Sequence, residues 1–300
     1  NSNTGIIFAK DNVFLNGTNS SITSDSLFFW SNIDSVFAIG NANLKNDDGD
    51  LSARTISFSG RNDEVYAYGK AYLSNQNSNI SAHSIYYIKD TGYNGYSFTA
   101  DGNVVAKDDQ NILKGDIITY NDSTQQMSLV DNASIKNTNQ ELTGESIHIQ
   151  FQDSTLSHIN IDKNPTVINL VTAKLYNESP YTEYFDRMFG KKMFITYQEN
   201  KINKLTITGM ANSIYHIIKN DLLEGQNEVS GDTISLSFLN EELASIRVVG
   251  GGIGHFIPEL INSSLDTTIN YSGERIHYDI KRSENYFYKD ASITYQDTKL

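Results

Sequence analysis

Short runs of alternating apolar and polar positions fill this chain, and most of them share one irregularity. In "LKGDIITYN", Leu113 and Gly115 are two apart, as are Ile118 and Tyr120, but a step of three separates the pairs. Side chains alternate between the two faces of a strand, so a step of three turns the apolar set to the wrong face unless the chain bends or bulges there. The pattern (apolar, small at +2, apolar at +5, aromatic or aliphatic at +7) starts at Ile22, Leu51, Ile80, Leu113, Leu142, Met188, Val229 and Tyr271. Its first five copies put Leu27, Ile56, Ile85, Ile118 and Ile147 at +5, and the first four put Phe29, Phe58, Tyr87 and Tyr120 at +7.

The starts are spaced 29, 29, 33, 29, 46, 41 and 42 residues apart, a period that identifies a repeat architecture. The extra four residues in the third interval fit a loop insertion at "TGYNGYS". A second anchor, as in "GNANL", "GKAYL" and "DNASI", places its small residue nine positions before the next start. Leu300 occupies the first position of a ninth copy, which predicts a fragment of a longer repeat protein. Clusters of Asn, Asp, Ser and Gly break each unit twice, so one unit reads as two strands of about eight to ten residues with a turn at each end. Eight units give roughly sixteen strands. In "SPYTEYFDRMFG" the spacing of Tyr181, Tyr184, Phe185 and Met188, with Ser179 as cap and Gly190 as stop, predicts one short helix near 180–189.

Two architectures satisfy this pattern: an elongated, open, all-β jellyroll of mostly antiparallel strands, and a parallel β-solenoid. Residues 1–160 form the block of 29–33 residue repeats and 161–300 continue it with longer ones, the whole read as one continuous body. With 18 Tyr and 14 Phe the chain favours strands, and its three prolines leave long stretches free for ladders.

A formal net charge of −13 argues against a nucleic-acid partner and against a polybasic membrane patch. The absence of cysteine removes disulfides, thiolate catalysis and Cys-based zinc sites together. No run of 18 apolar residues is present, and "NSNTGIIFAKDN" lacks the features of a signal peptide, so an exported form would have lost its leader before Asn1. The six histidines, His83, His148, His158, His216, His255 and His277, form no HExxH or paired zinc spacing. His148 and His277 share the outward +6 position and read as solvated surface. "GGGIGHF" has the glycines of a phosphate loop without its Lys-Ser/Thr, and reads as a bulge after "ASIRVV". Asp47-Asp48 and Asp108-Asp109 fall in turns and read as solvated tips. No catalytic residue, metal site or cofactor emerges.

The stretch "LKGDIITYNDSTQQMSLVDNASIKNTNQELTGESIHI" resembles the OstA-like (LptA-like) family of periplasmic lipopolysaccharide-transport domains. "FGKKMFITYQENKINKLTITGMANSIYH", "GQNEVSGDTISLSFLNEELASIRVVGGGIGHFIPE" and "YSGERIHYDIKRSENYFYKDASITYQDTKL" extend the likeness over nearly the whole chain. The resemblance implies an open β-jellyroll in the periplasm, with outer-membrane association where a barrel follows, whose interior shields the acyl chains of lipopolysaccharide. It also implies edge strands that pair with other bridge components or with a second copy. It fits a bridge subunit and the periplasmic part of a larger outer-membrane assembly protein equally.

The expected function is therefore non-enzymatic binding and transport of lipopolysaccharide. The residues expected to line its apolar groove are Phe29, Leu51, Ile56, Phe58, Ile80, Ile85, Tyr87, Leu113, Ile118, Tyr120, Leu142 and Ile147. Two rivals stay open: a β-solenoid adhesin or scaffold with a filled core, and a polysaccharide-processing β-helix with outer-face carboxylates.

Overall fold

The computed structural model describes residues 5–47, 49–89, 95–240, 242–261, 265–282, 284–296 and 298–299. Among these residues every regular element is a strand, and the chain divides into two compact units, Asn1–Ile135 and Lys136–Leu300. Most of the loop insertion predicted at "TGYNGYS", Asp48 and Leu300 lie outside the described residues. No described helix is long and apolar enough to cross a membrane.

The first unit holds β1 (Ile6–Asn16), β2 (Ser20–Trp30), β3 (Ser35–Asn46), β4 (Gly49–Ser59), β5 (Glu64–Ser74), β6 (Ser78–Lys89), β7 (Tyr96–Asp108), β8 (Ile112–Asn121) and β9 (Gln126–Lys136). From β1 to β8 each strand pairs antiparallel with the next, which a parallel solenoid excludes. Side-chain oxygens set the turns. The Asn75 Oδ1 accepts from the backbone N–H groups of Asn77 (3.0 Å) and Ser78 (2.8 Å), and the Asp108 Oδ1 accepts from those of Gln110 (2.7 Å) and Asn111 (2.6 Å). The Asp108 carboxylate is thus part of the turn as well as solvated.

The step of three is a corner, and its strain sits on the neighbouring strand. Asp101 faces Ile117 and Val104 faces Gly115, so two residues of β7, Gly102 and Asn103, oppose Asp116 alone. Both adopt left-handed backbone, with φ of 86° and 52°. The extra residue turns the chain and keeps the apolar set facing one way on both sides of the bend. The same two-against-one register recurs at Gly40-Asn41 against Arg54 and at Gly69-Lys70 against His83. Each strand therefore has a first arm and a second arm that meet at a corner.

Two apolar rows run across these arms. On the first, Ile22, Leu44, Leu51, Leu73, Ile80, Ala106 and Leu113 are successive cross-strand partners. On the second, Ala38, Ile56, Ala67, Ile85, Ala100 and Ile118 alternate small and large, each at most 3% exposed.

The second unit holds β10 (Gln140–Gln152), β11 (Thr155–Asp162), β12 (Thr166–Lys174), β13 (Tyr181–Phe189), β14 (Lys192–Gln198), β15 (Lys201–Lys219), β16 (Leu222–Leu239), β17 (Glu242–Pro258), β18 (Ile269–Asp279), β19 (Glu284–Tyr288), β20 (Ser292–Tyr295) and β21 (Thr298–Lys299). Its ladders are antiparallel apart from one parallel contact, Lys174 with Leu222. The described strands number twenty-one rather than sixteen, in part because corners at Lys163-Asn164 and Gly190-Lys191 split one long strand into β11 and β12 and another into β13 and β14. The wider spacing of the later starts is taken up by longer strands, β15 running 19 residues. The glycine run Gly250–Gly252 is a bulge inside β17, with Gly250 and Gly251 at φ of 82° and 70°.

The helix predicted near 180–189 is the strand β13. All nine of its residues pair with β12, from Tyr181 opposite Lys174 to Phe189 opposite Thr166. A spacing of four is even, so Tyr184 and Met188 share a strand face as readily as a helix face. An isolated helix of this length is marginal in water, whereas the ladder satisfies the backbone throughout. Ser179 does cap, but it caps a turn: its Oγ accepts from the N–H groups of Leu175 (3.0 Å) and Tyr176 (3.1 Å) and donates to the Tyr176 carbonyl (2.9 Å).

The interior of this unit is filled with large side chains. Ile147, Ile161, Met193, Ile207, Ile234, Val248 and Ile276 are successive partners, each at most 2% exposed, with no alanine among them. Glycine makes room for them at the corners. A Cβ at Gly190 would lie 2.5 Å from Ile207, and one at Gly231 would lie 2.6 Å from Val248.

Candidate functional site

A groove of about 940 Å³ opens between the two arms of the first unit. That volume lies near the top of the range of roughly 300–1,000 Å³ typical of small-molecule sites. Leu51, Ile80 and Leu113 line it from the first arm, and Phe58, Ile85, Tyr87, Ile118 and Tyr120 from the second. The corners bring these sets together, because without them the two arms would continue as one flat sheet. The lining residues run from Ile22 on β2 to Met127 on β9, so the groove crosses eight strands and is roughly 30 Å long.

The alternation of isoleucine and alanine on the second arm explains why space remains. Ala67 and Ala100 stand where the second unit places isoleucine, methionine or valine at every strand. Phe58, Tyr87 and Tyr120 form the next row toward solvent, alternating with Val65 and Phe98. Tyr96 sits between two of these aromatics, its ring 5.5 Å from the ring of Tyr87 and 5.5 Å from that of Tyr120. The Tyr120 hydroxyl donates to the Asp122 Oδ1 at 3.1 Å. Burial first, then this hydrogen bond and the carboxylate's charge, push the Tyr120 hydroxyl up to about 12, so it stays a neutral donor at physiological pH.

Four of the twelve residues expected to line the groove lie elsewhere. Ile56 is fully buried beneath the wall, and Phe29 is half-buried outside the lining set. Leu142 and Ile147 belong to the filled interior of the second unit. The motif strands do not supply the whole wall. Leu44, Val65, Leu73, Phe98 and Ala106 come from the intervening strands. The second anchor held the signal for three of these, since Leu44, Leu73 and Ala106 end the runs "GNANL", "GKAYL" and "GNVVA".

No family model matches this sequence, and no curated protein matches it. Among solved structures, it is similar to LptH, the LptA-homologous periplasmic component of the conserved lipopolysaccharide transport device from Pseudomonas aeruginosa. The identity is 13%, the match covers 55% of this chain and 93% of that one, and the TM-score is 0.23. So loose an overlap decides neither fold nor function.

Outside the groove, two polar arrangements are notable. In the second unit the buried Asn227 bridges two tyrosines: it donates to the Tyr215 hydroxyl and accepts from the Tyr271 hydroxyl, both at 2.7 Å. His216 and Asp186 form a nearly buried pair, with the Asp186 Oδ1 2.9 Å from both the backbone nitrogen and the Nδ1 of His216. Both arrangements satisfy polar groups within packed walls. His148 is exposed, whereas His277 is half-buried against Tyr286, its ring centroid 5.9 Å away.

Proposed function

We propose that this chain is a non-enzymatic periplasmic carrier that holds the acyl chains of lipopolysaccharide in the groove of its first unit, on the way to the outer membrane. One observation carries the reading: the apolar rows of both arms stay in phase across the strands and enclose a continuous, unfilled trough. Each methylene buried there contributes roughly 0.8 kcal/mol, so an acidic protein can retain an anionic amphiphile through its tails. The family resemblance of the repeat pattern supports the same reading. Partners are other bridge components or a second copy, added at a sheet edge. The strand β1 pairs with β2 and exposes Ile7, Phe8 and Phe14 at 58%, 55% and 65%, which suits such an addition.

The test is retention of lipopolysaccharide by two variants that place the same carboxylate side chain at neighbouring residues on opposite faces, the outward one with the larger change of net charge. Leu113 is half-buried in the groove wall and Lys114 is exposed outside it. Leu113→Asp is expected to weaken retention about ten-fold or more, because an acyl chain would then lie against a carboxylate. Lys114→Asp is expected to leave it within about two-fold. Equal retention by both variants would refute the groove.

A further inference from the structure

Resting on the groove reading above, we infer that the head of the bound amphiphile at the groove mouth is an uncharged, hydroxyl-rich sugar rather than a phosphate or carboxylate. The lining contains no net charge to hold an anion. Among the described residues its charged side chains are Asp63 and Lys89, whose Oδ2 and Nζ lie 3.9 Å apart and cancel. Asp122 stands just behind Tyr120 and adds a second negative group. An anionic head placed there would lose water, face carboxylates, and find one lysine already engaged. The whole chain, at −13, repels anions further.

What the mouth offers instead is neutral hydrogen-bonding chemistry. Asn19, Ser20, Asn46, Asn75, Ser78 and Asn79 line it from the turns and strand ends of the first arms, although the Oδ1 atoms of Asn46 and Asn75 also accept from the turn backbone at Gly49 and at Asn77 and Ser78. Amide and hydroxyl groups both donate and accept, as sugar hydroxyls do. Across from them stand the rings of Tyr87, Tyr96 and Tyr120, spaced 5.5 Å apart, with an amphipathic character suited to the C–H faces and hydroxyls of a pyranose. A lipopolysaccharide seated here presents sugar hydroxyls to the mouth and keeps any phosphate outside it.

The experiment loads the full chain with the apolar fluorophore N-phenyl-1-naphthylamine. It then displaces the dye with dodecyl maltoside or dodecyl phosphate, both below their micellar concentrations. The tails are identical, so a difference reports the head. The maltoside is expected to displace the dye at about ten-fold lower concentration. Asp63→Asn keeps a residue that tolerates the left-handed backbone of this turn (φ 46°), removes the partner of Lys89, and should narrow that gap at least three-fold. Dodecyl phosphate competing as well as the maltoside, or a gap unchanged in Asp63→Asn, would overturn the sugar assignment alone. Failure of the dye to bind, or of both detergents to displace it, would overturn the groove reading beneath it.

Discussion

Replacing Gly254 with valine is expected to cost the second unit roughly 4 kcal/mol, which for a unit of this size is a fall of about 8–16 °C in its melting temperature. The ring of Tyr271 lies directly over Gly254, and even a Cβ there would overlap the ring and its hydroxyl. Tyr271 cannot simply swing away. Its ring is 6% exposed, and its hydroxyl donates to the Asn227 Oδ1, whose amide in turn donates to Tyr215. Displacing the ring therefore combines overpacking with broken hydrogen bonds in a buried network. Adding Tyr271→Leu to the same chain should restore part of the loss, since the shorter side chain makes room while the network stays broken. Thermal unfolding of the three proteins, followed by circular dichroism, checks the order wild type, double variant, Gly254→Val.

The second large effect is at the corner. Gly102→Val is expected to cost about 3 kcal/mol, as a β-branched residue is forced into left-handed backbone and against a neighbouring side chain. Gly102 has φ of 86°, and a Cβ there would sit 2.6 Å from the Cβ of His83. Gly115→Ala is expected to cost less than about 1 kcal/mol. Its φ is not left-handed, the nearest atom to an added Cβ is the Ile117 oxygen at 3.1 Å, and Ala53 and Ala82 hold the equivalent places on β4 and β6. Urea midpoints of the two variants give the comparison. A larger loss for Gly115→Ala would mean that the bend is set by the motif strand and not by its partner.

The alternation of apolar positions, the two turns per unit and the need for a bend at the step of three were legible in the sequence, because each follows from the period of a strand. The seat of the bend was not. The step of three lies in the motif strand, beside its small residue Gly115, while the left-handed pair lies on the preceding strand, where Asn, Asp and Lys take the conformation beside glycine. Gly40-Asn41, Gly69-Lys70 and Gly102-Asn103 were visible as an anchor in phase with the motif, but positive φ leaves no single residue signature.

The stretch around Tyr184 misled because a spacing of four belongs to helix and strand alike. Whether the interior is open or filled was also written in the chain. Ala38, Ala67 and Ala100 between Ile56, Ile85 and Ile118 leave room, whereas Ile161, Ile207 and Val248 do not. Reading that contrast required knowing which residues of neighbouring strands face each other. The His216–Asp186 pair, 30 residues apart, depends on register in the same way.

The central claim is that acyl chains lie between the arms of the first unit, and adjacent tyrosines on opposite faces of β6 test it. Tyr87 lines the groove, whereas Tyr86 sits on the other face, its hydroxyl donating to the Glu64 Oε1 at 2.8 Å. A photoreactive phenylalanine replaces either one with little change of shape. Irradiated in cells that make lipopolysaccharide, the Tyr87 variant is expected to give a lipopolysaccharide adduct and the Tyr86 variant none. Adducts of equal yield from both positions, or from Tyr86 alone, would contradict the account.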